Sequence, residues 1–176
     1  MPARRGHTGR MNALEATLLT GVADPKLEAF SRFDGSWDLQ WSRPGDEEAP
    51  ASLWGEVHFG TVLGGRAIQD VWIVPAGDQQ STEDERYSFH GTTIRFFDDG
   101  IGAWRSTWIE PIHGRVRKFI GRPSGDEMHL ISTDGDPFLR WRFTEVGADH
   151  FVWLGEYSVD EGRTWILEEK MVATRR

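Results

Sequence analysis

The chain contains no cysteine. That excludes disulfides, thiolate metal sites and cysteine nucleophiles. It also lacks any apolar run near the ~18 residues that a membrane span needs. Basic residues are outnumbered, with 20 Lys and Arg against 28 Asp and Glu, a formal net charge of −8 and a pI near 5.2. Such a balance argues against nucleic acid and against anionic membrane surfaces, both of which need a basic face. The early stretch from Ala13 to Leu19 is too short for the apolar core of a secretory signal and carries Glu15. The expectation is therefore a cytoplasmic protein. Residues 1–11, with Arg4, Arg5 and Arg10, read as a disordered tail, and Met11 offers a second possible start. No His pair at metal-ligand spacing, no G-x-S-x-G elbow and no P-loop is present. The glycines of Gly60–Gly65 precede a strand rather than a helix, so they do not form a phosphate cradle. No metal or cofactor is expected.

What the chain has is rings. Only 38% of its residues are hydrophobic, yet nine are Trp and ten are Phe, and each large aromatic buries about 150–250 Å². From Ser36 onward the sequence alternates between faces and turns at short intervals. The strands expected are 36–42, 53–63, 66–74, 87–97, 103–110, 115–122, 127–133, 138–146, 150–159 and 163–174. Turn signals separate them: Gly64-Gly65, Asp98-Asp99-Gly100, Pro123-Ser124-Gly125-Asp126, Asp134-Gly135 and Gly147-Ala148-Asp149. Connections this short make neighbours antiparallel. Residues 12–176 then form one all-β domain, a single antiparallel up-and-down barrel of about ten strands, because closure removes exposed edges. A β-sandwich is the competing architecture. Residues 12–31 read as helical, with Asp24 as N-cap and Pro25 at the first position, and such a helix plugs one end of the barrel.

Alternation sorts the candidate lining. Trp104, Ser106 and Trp108 share a face, as do Leu139, Trp141 and Phe143, and Trp165, Leu167, Glu169 and Met171. Arg66, Ile68, Asp70 and Trp72 fall together, as do Ser88, His90, Thr92, Ile94 and Phe96. In strand two, Trp54, Glu56 and His58 oppose Val57 and Phe59, and either set can be the inner one. If the Trp-bearing face is interior throughout, Glu56, His58, Arg66, Asp70, His90 and Glu169 point inward. Such groups need partners, and Arg66 with Asp70 or Glu56 supplies one. Glu168 and Glu169 adjoin, so one of them should face outward. His113 and His129 are assigned no role.

Gly35-Ser36-Trp37 at the start of the first strand resembles the G-x-W signature of the lipocalin and calycin superfamily. The runs Gly55-Glu56-Val57-His58-Phe59 and Leu63-Gly64-Gly65-Arg66-Ala67-Ile68-Gln69-Asp70-Val71-Trp72, with the closing Trp165-x-Leu167-Glu168, extend the resemblance to a group of uncharacterised bacterial lipocalin-like barrels. The resemblance implies a barrel with a ligand cavity. It also implies a Trp37 packed across the barrel floor under Arg175 or Arg176. One calycin branch, the nitrobindin-like proteins, binds haem through a His near the C-terminus. The last strand here has none, which argues against haem. Ser158-x-Asp160-x-Gly162-x-Thr164-Trp165 matches the Asp-box of sialidase propellers, a single copy that reads as a turn.

The leading functional expectation is binding of a small, partly hydrophobic molecule, aromatic or polyketide-like. Trp72, Trp104, Trp108 and Trp141 would stack on it, Asp70, His58 or Arg66 would fix its polar end, and Trp54 and Glu169 would complete the site. A second is a cofactor-independent barrel enzyme, an isomerase, cyclase, dehydratase or hydrolase. In it His58 or His90 serves as general base and Asp70 or Glu56 as its carboxylate. A third is a filled barrel acting as a structural module. A homodimer is compatible with all three.

Overall fold

The computed structural model describes residues 24–77, 85–135 and 137–176. The tail and the first part of the expected helix lie outside them. Asp24 opens the described chain as foreseen: its side chain accepts from the Lys26 backbone N–H, Pro25–Leu27 forms a 3-10 turn, and one α-turn follows, α1 (Glu28–Ser31). Leu27 and Phe30 of this segment are buried, so these turns put apolar side chains into one end of the barrel.

Ten strands follow: β1 (Gly35–Ser42), β2 (Leu53–Val62), β3 (Ala67–Val74), β4 (Phe89–Asp98), β5 (Ala103–Glu110), β6 (Arg115–Ser124), β7 (Glu127–Ser132), β8 (Phe138–Thr144), β9 (His150–Ser158) and β10 (Ile166–Arg175). Each pairs antiparallel with its sequence neighbours. β1 also pairs with β10, from Trp37 opposite Arg175 to Ser42 opposite Lys170, and this closes the sheet. The fold is a lipocalin-like barrel with no open edge, and the sandwich is excluded.

The end of the barrel beside α1 is packed solid with rings. Phe30 meets Trp104 edge-on at 4.7 Å, and Phe33 and Trp37 each meet Phe151 at 4.9 Å. Gly35 takes φ +122°, a conformation open to glycine, and lets β1 begin directly under the plug. Trp37 donates its indole N–H to the Phe33 carbonyl at 2.7 Å. The Arg175 guanidinium lies 4.0 Å from the Trp37 ring centre and donates to the carbonyls of Asp34, Arg32 and Ala148. The strand-one Trp and the late Arg thus meet as the resemblance implied, with Arg175 in the part. Arg176 instead pairs with Asp38 and Glu56 outside.

The Asp-box segment is a turn. Asp160 accepts from Ser158 Oγ, the Thr164 backbone N–H and Thr164 Oγ1, and Gly162 N–H donates to Ser158 Oγ. These bonds hold the Asp160 carboxyl down at about 2. Trp165 stacks on Phe138 and under Arg140 on the outer surface, so it does not share the face of Met171.

Candidate functional site

Opposite the plug the barrel is not filled. A cavity of about 220 Å³ opens toward the β5–β6 hairpin, and its lining comes from β3, β4, β5, β6, β8, β9 and β10. Four tryptophans form one wall in a continuous chain of ring contacts. Trp72 meets Trp153 at 6.0 Å, Trp153 meets Trp141 at 5.4 Å, and Trp141 meets Trp108 at 5.8 Å. Two glycines make room for these rings. A Cβ at Gly91 would stand 2.4 Å from ring carbons of Trp108, and one at Gly155 would stand 2.6 Å from Trp153. Phe89, Leu139, Phe143 and Met171 complete the apolar lining.

The floor is polar. Arg95 points inward from β4, its side chain 2% exposed, and makes a close ion pair with the fully buried Asp70 of β3. Thr93 N–H donates to the other Asp70 oxygen at 3.0 Å. Burial pushes the Asp70 carboxyl up and the Arg95 guanidinium down from their ordinary values. Each partner opposes that push on the other, with further help to Asp70 from Thr93 and the Trp72 side chain. Arg95 also lies 4.4 Å over the Phe30 ring. Its Nε and Nη1 nevertheless have no hydrogen-bond partner among the described residues, and neither does the hydroxyl of Ser106, the cross-strand neighbour of Arg95. Unpaired buried donors cost about 1–3 kcal/mol each, and the guanidinium faces lie instead against the rings of Phe30, Phe143 and Phe59, at 4.4, 5.7 and 5.9 Å.

The mouth carries more charge. Glu110, fully buried, accepts from the backbone N–H groups of Ile112 and His113 and lies 2.9 Å from His113 Nδ1, so its hairpin occupies it. Arg115 and Arg117 stand at the rim. A register shift between Leu167 and Glu169 on β10 breaks the alternation. As a result Glu168 and Glu169 both line the cavity, where one had been expected to face outward. Glu168 is paired with Arg43. Glu169 is pushed up to about 7, first by burial and then by the Glu168 charge, against the pull of Arg43, Arg115 and the Trp41 side chain.

The structure brings Trp72, Trp108, Trp141 and Glu169 together at this cavity and puts Asp70 beneath it. It does not bring the other candidates there. Trp104 is part of the solid floor, between Phe30 and Phe97. Trp54 is 55% exposed, because Val57 and Phe59 are the inward residues of β2. Glu56 and His58 are therefore outside, with His58 Nδ1 2.9 Å from Ser36 Oγ and Nε2 3.5 Å from Glu56. This surface trio sits on the outer face of the sheet, on the opposite side from the inward Val57 and Phe59. His90 is exposed, since Phe89, Gly91, Thr93 and Arg95 face in on β4. Arg66 is exposed in the β2–β3 turn and donates to the Leu63 carbonyl; Asp70 takes Arg95 as its partner instead.

Arg95 and Trp153 are among the lining residues that escaped the sequence reading, as are Phe89, Thr93 and Glu110. Arg95 sits between Ile94 and Phe96, where an outward cation looks natural. Its signal was the inner-face series Phe89-Gly91-Thr93-Arg95-Phe97. Trp153 shares its strand face with Phe151 and Gly155, a pattern that was present but left unsorted. Among the described residues no group of three His, Cys, Asp or Glu is placed to hold a metal, and no helix is long and apolar enough to cross a membrane.

No family model matches the chain. No curated protein matches it significantly. Among solved structures, it is similar to Rv2717c from M. tuberculosis, with a TM-score of 0.59 at 14% identity, covering 88% of this chain and 99% of that one. It is also matched to the S-type phycobiliprotein lyase CPES from Guillardia theta, with a TM-score of 0.46 at 13% identity, covering 84% of this chain and 90% of that one. The first likeness supports the lipocalin-like barrel fold. Identities this low carry no ligand across.

Proposed function

We propose that this barrel binds a small, partly hydrophobic aromatic or polyketide-like molecule in its open cavity. The observation that carries the reading is the Trp72–Trp153–Trp141–Trp108 wall around an unfilled space. Aromatic walls with a few convergent polar groups are the usual make-up of a small-molecule site. An engineered cavity of roughly 150 Å³ takes up benzene, so about 220 Å³ suits a molecule of one or two rings. A fully packed structural module would leave no such space. Native mass spectrometry of the purified protein, with titration of tryptophan fluorescence against small aromatic compounds, tests the reading. A co-purified molecule or saturable quenching supports it; an apo mass and no response to any compound overturns it.

A second reading, acid–base chemistry on the bound molecule, has one specific support. Glu169 is a carboxyl held near 7 at an apolar cavity, which is where a general acid or base works best near neutral pH. It replaces the histidine mechanism, since His58 and His90 lie outside the barrel. Conversion of a bound compound to product that stops in Glu169→Gln, while binding persists, would favour it.

A further inference from the structure

We infer that the molecule taken up is an aromatic carboxylate, with its ring against the tryptophans and its carboxylate held at the mouth by Arg115 and Arg117. This rests on the ligand-binding reading above and narrows it. Arg115, Arg117 and Phe119 alternate onto the inner face of β6. Phe119 is buried in the core, and both arginines line the cavity. Arg117 stands across the ladder from Trp108, and Arg115 across from Glu110. The aromatic wall leads to them. Trp141 meets Trp108 at 5.8 Å and Phe119 at 4.1 Å, so a ring lying against Trp108 and Trp141 carries its substituent toward Arg117. The two arginines are about 6.6 Å apart along the strand. Their long side chains can both reach one carboxylate, and each offers the planar fork that suits it.

The charge at the mouth selects the class. The chain has 28 Asp and Glu against 20 Lys and Arg. Yet among the described residues neither Arg115 nor Arg117 forms an ion pair, and Arg117 Nη1 makes a long contact, 3.4 Å, to the Val116 carbonyl. The other carboxyls of the site are engaged. Glu168 pairs with Arg43, Glu110 is held by its hairpin N–H groups and His113, and Asp70 pairs with Arg95 at the floor. Glu169 remains, and burial holds it toward the neutral form, with a value of about 7. Two unpaired cations thus face one carboxyl that is mostly uncharged below that value. A singly charged anion meets the excess, whereas an amine or ammonium adds to it. At the rim the carboxylate keeps contact with water, so it escapes the full cost of burying a charge at the floor.

A matched pair of compounds tests this by quenching of tryptophan fluorescence at about pH 6, below the Glu169 value of about 7. Naphthoate carries the charge; methyl naphthoate has the same ring and oxygens without it. Naphthoate is expected to bind about tenfold or more tighter, the difference that hydrogen bonds to a charged donor supply. The gap should narrow as salt is added, because the rim is open to solvent. In the double variant Arg115→Gln with Arg117→Gln the preference should disappear while methyl naphthoate still binds, which also shows that the barrel is folded. Should that variant not fold, the salt dependence of the wild type decides. Equal affinity for acid and ester, or tighter binding of the ester, overturns the inference and leaves the binding reading standing. So does a gap that salt leaves unchanged, or a preference for naphthoate that survives in the double variant. Saturable binding of neither compound overturns the binding reading itself.

Discussion

Replacing Glu169 by Gln should remove a pH dependence built into the barrel. Glu169 is lifted from an ordinary value of 4.5 to about 7. Burial is the main cause and the neighbouring Glu168 charge the second, while Arg43, Arg115 and the Trp41 side chain pull the other way. Between 4.5 and about 7 the folded protein keeps a proton that the unfolded chain has released. Folding stability therefore falls as pH rises through that window, with the full advantage present below the lower value and lost above the upper one. At roughly 1.4 kcal/mol per pH unit the loss approaches about 3 kcal/mol, an upper bound for a group that keeps contact with the water of the cavity. Gln cannot ionise, so the stability difference between Glu169→Gln and the wild type should grow by about 2–3 kcal/mol between about pH 4 and about pH 8.5. Urea denaturation followed by tryptophan fluorescence, repeated between about pH 4 and about pH 9, measures the difference. All other titrating groups are common to both proteins and cancel. A difference that stays constant across the range would refute the reasoning, since it would mean that Glu169 ionises in the folded barrel as it does in water.

Other substitutions separate the floor, the wall and the outer surface. Trp104→Ala should cost about 3–5 kcal/mol in urea denaturation, the usual range for emptying a ring-packed core, because Trp104 fills the solid end against Phe30 and Phe97. Gly91→Ala should weaken uptake of small aromatic compounds in the tryptophan-quenching titration, since the new methyl has no room beside Trp108 and drives that ring into the cavity. His58→Ala and His90→Ala should leave the same titration unchanged, as both side chains are outside the barrel. Asp160→Ala should lower stability at neutral pH, with a deficit that closes in strong acid. The stability that the depressed carboxyl brings is present above its ordinary value of 3.8 and is lost as pH falls toward about 2. Urea denaturation of both proteins at neutral and at strongly acid pH would show the deficit and its closing.

Much of the architecture was legible because it depends on local chemistry. Gly64-Gly65, Asp98-Asp99-Gly100 and Asp134-Gly135 set the hairpins wherever the chain is folded. The strands they bound, such as β5 at Ala103–Glu110, follow from alternation alone. Inward faces were legible on β5 and β8, where Trp104 and Trp108, or Trp141 and Phe143, oppose plainly polar residues such as Arg140 and Arg142. They were not legible on β2 and β4, where both faces carry large apolar groups. Trp54 competes with Val57 and Phe59, and Ile94 and Phe96 compete with Phe89 and Phe97. A charge in such a strand gives no direction until its partner is known, and the partner of Arg95 is Asp70, on another strand and 25 residues away.

The sequence by itself determined the number of strands, the antiparallel meander, the capped start at Asp24-Pro25 and the wealth of rings inside. All of these rest on neighbours in the chain. Only the tertiary structure decided which rings are floor and which are wall. Trp104 and Trp108 share one face of β5, yet Phe30 from the plug covers the first and leaves the second open to the cavity. It also decided that Arg95 and Asp70 meet, and that Glu168 and Glu169 both face the cavity. Closure of β1 on β10 sets the register of each strand against the next, and the shift between β9 and β10 that turns both carboxylates inward exists only in that pairing.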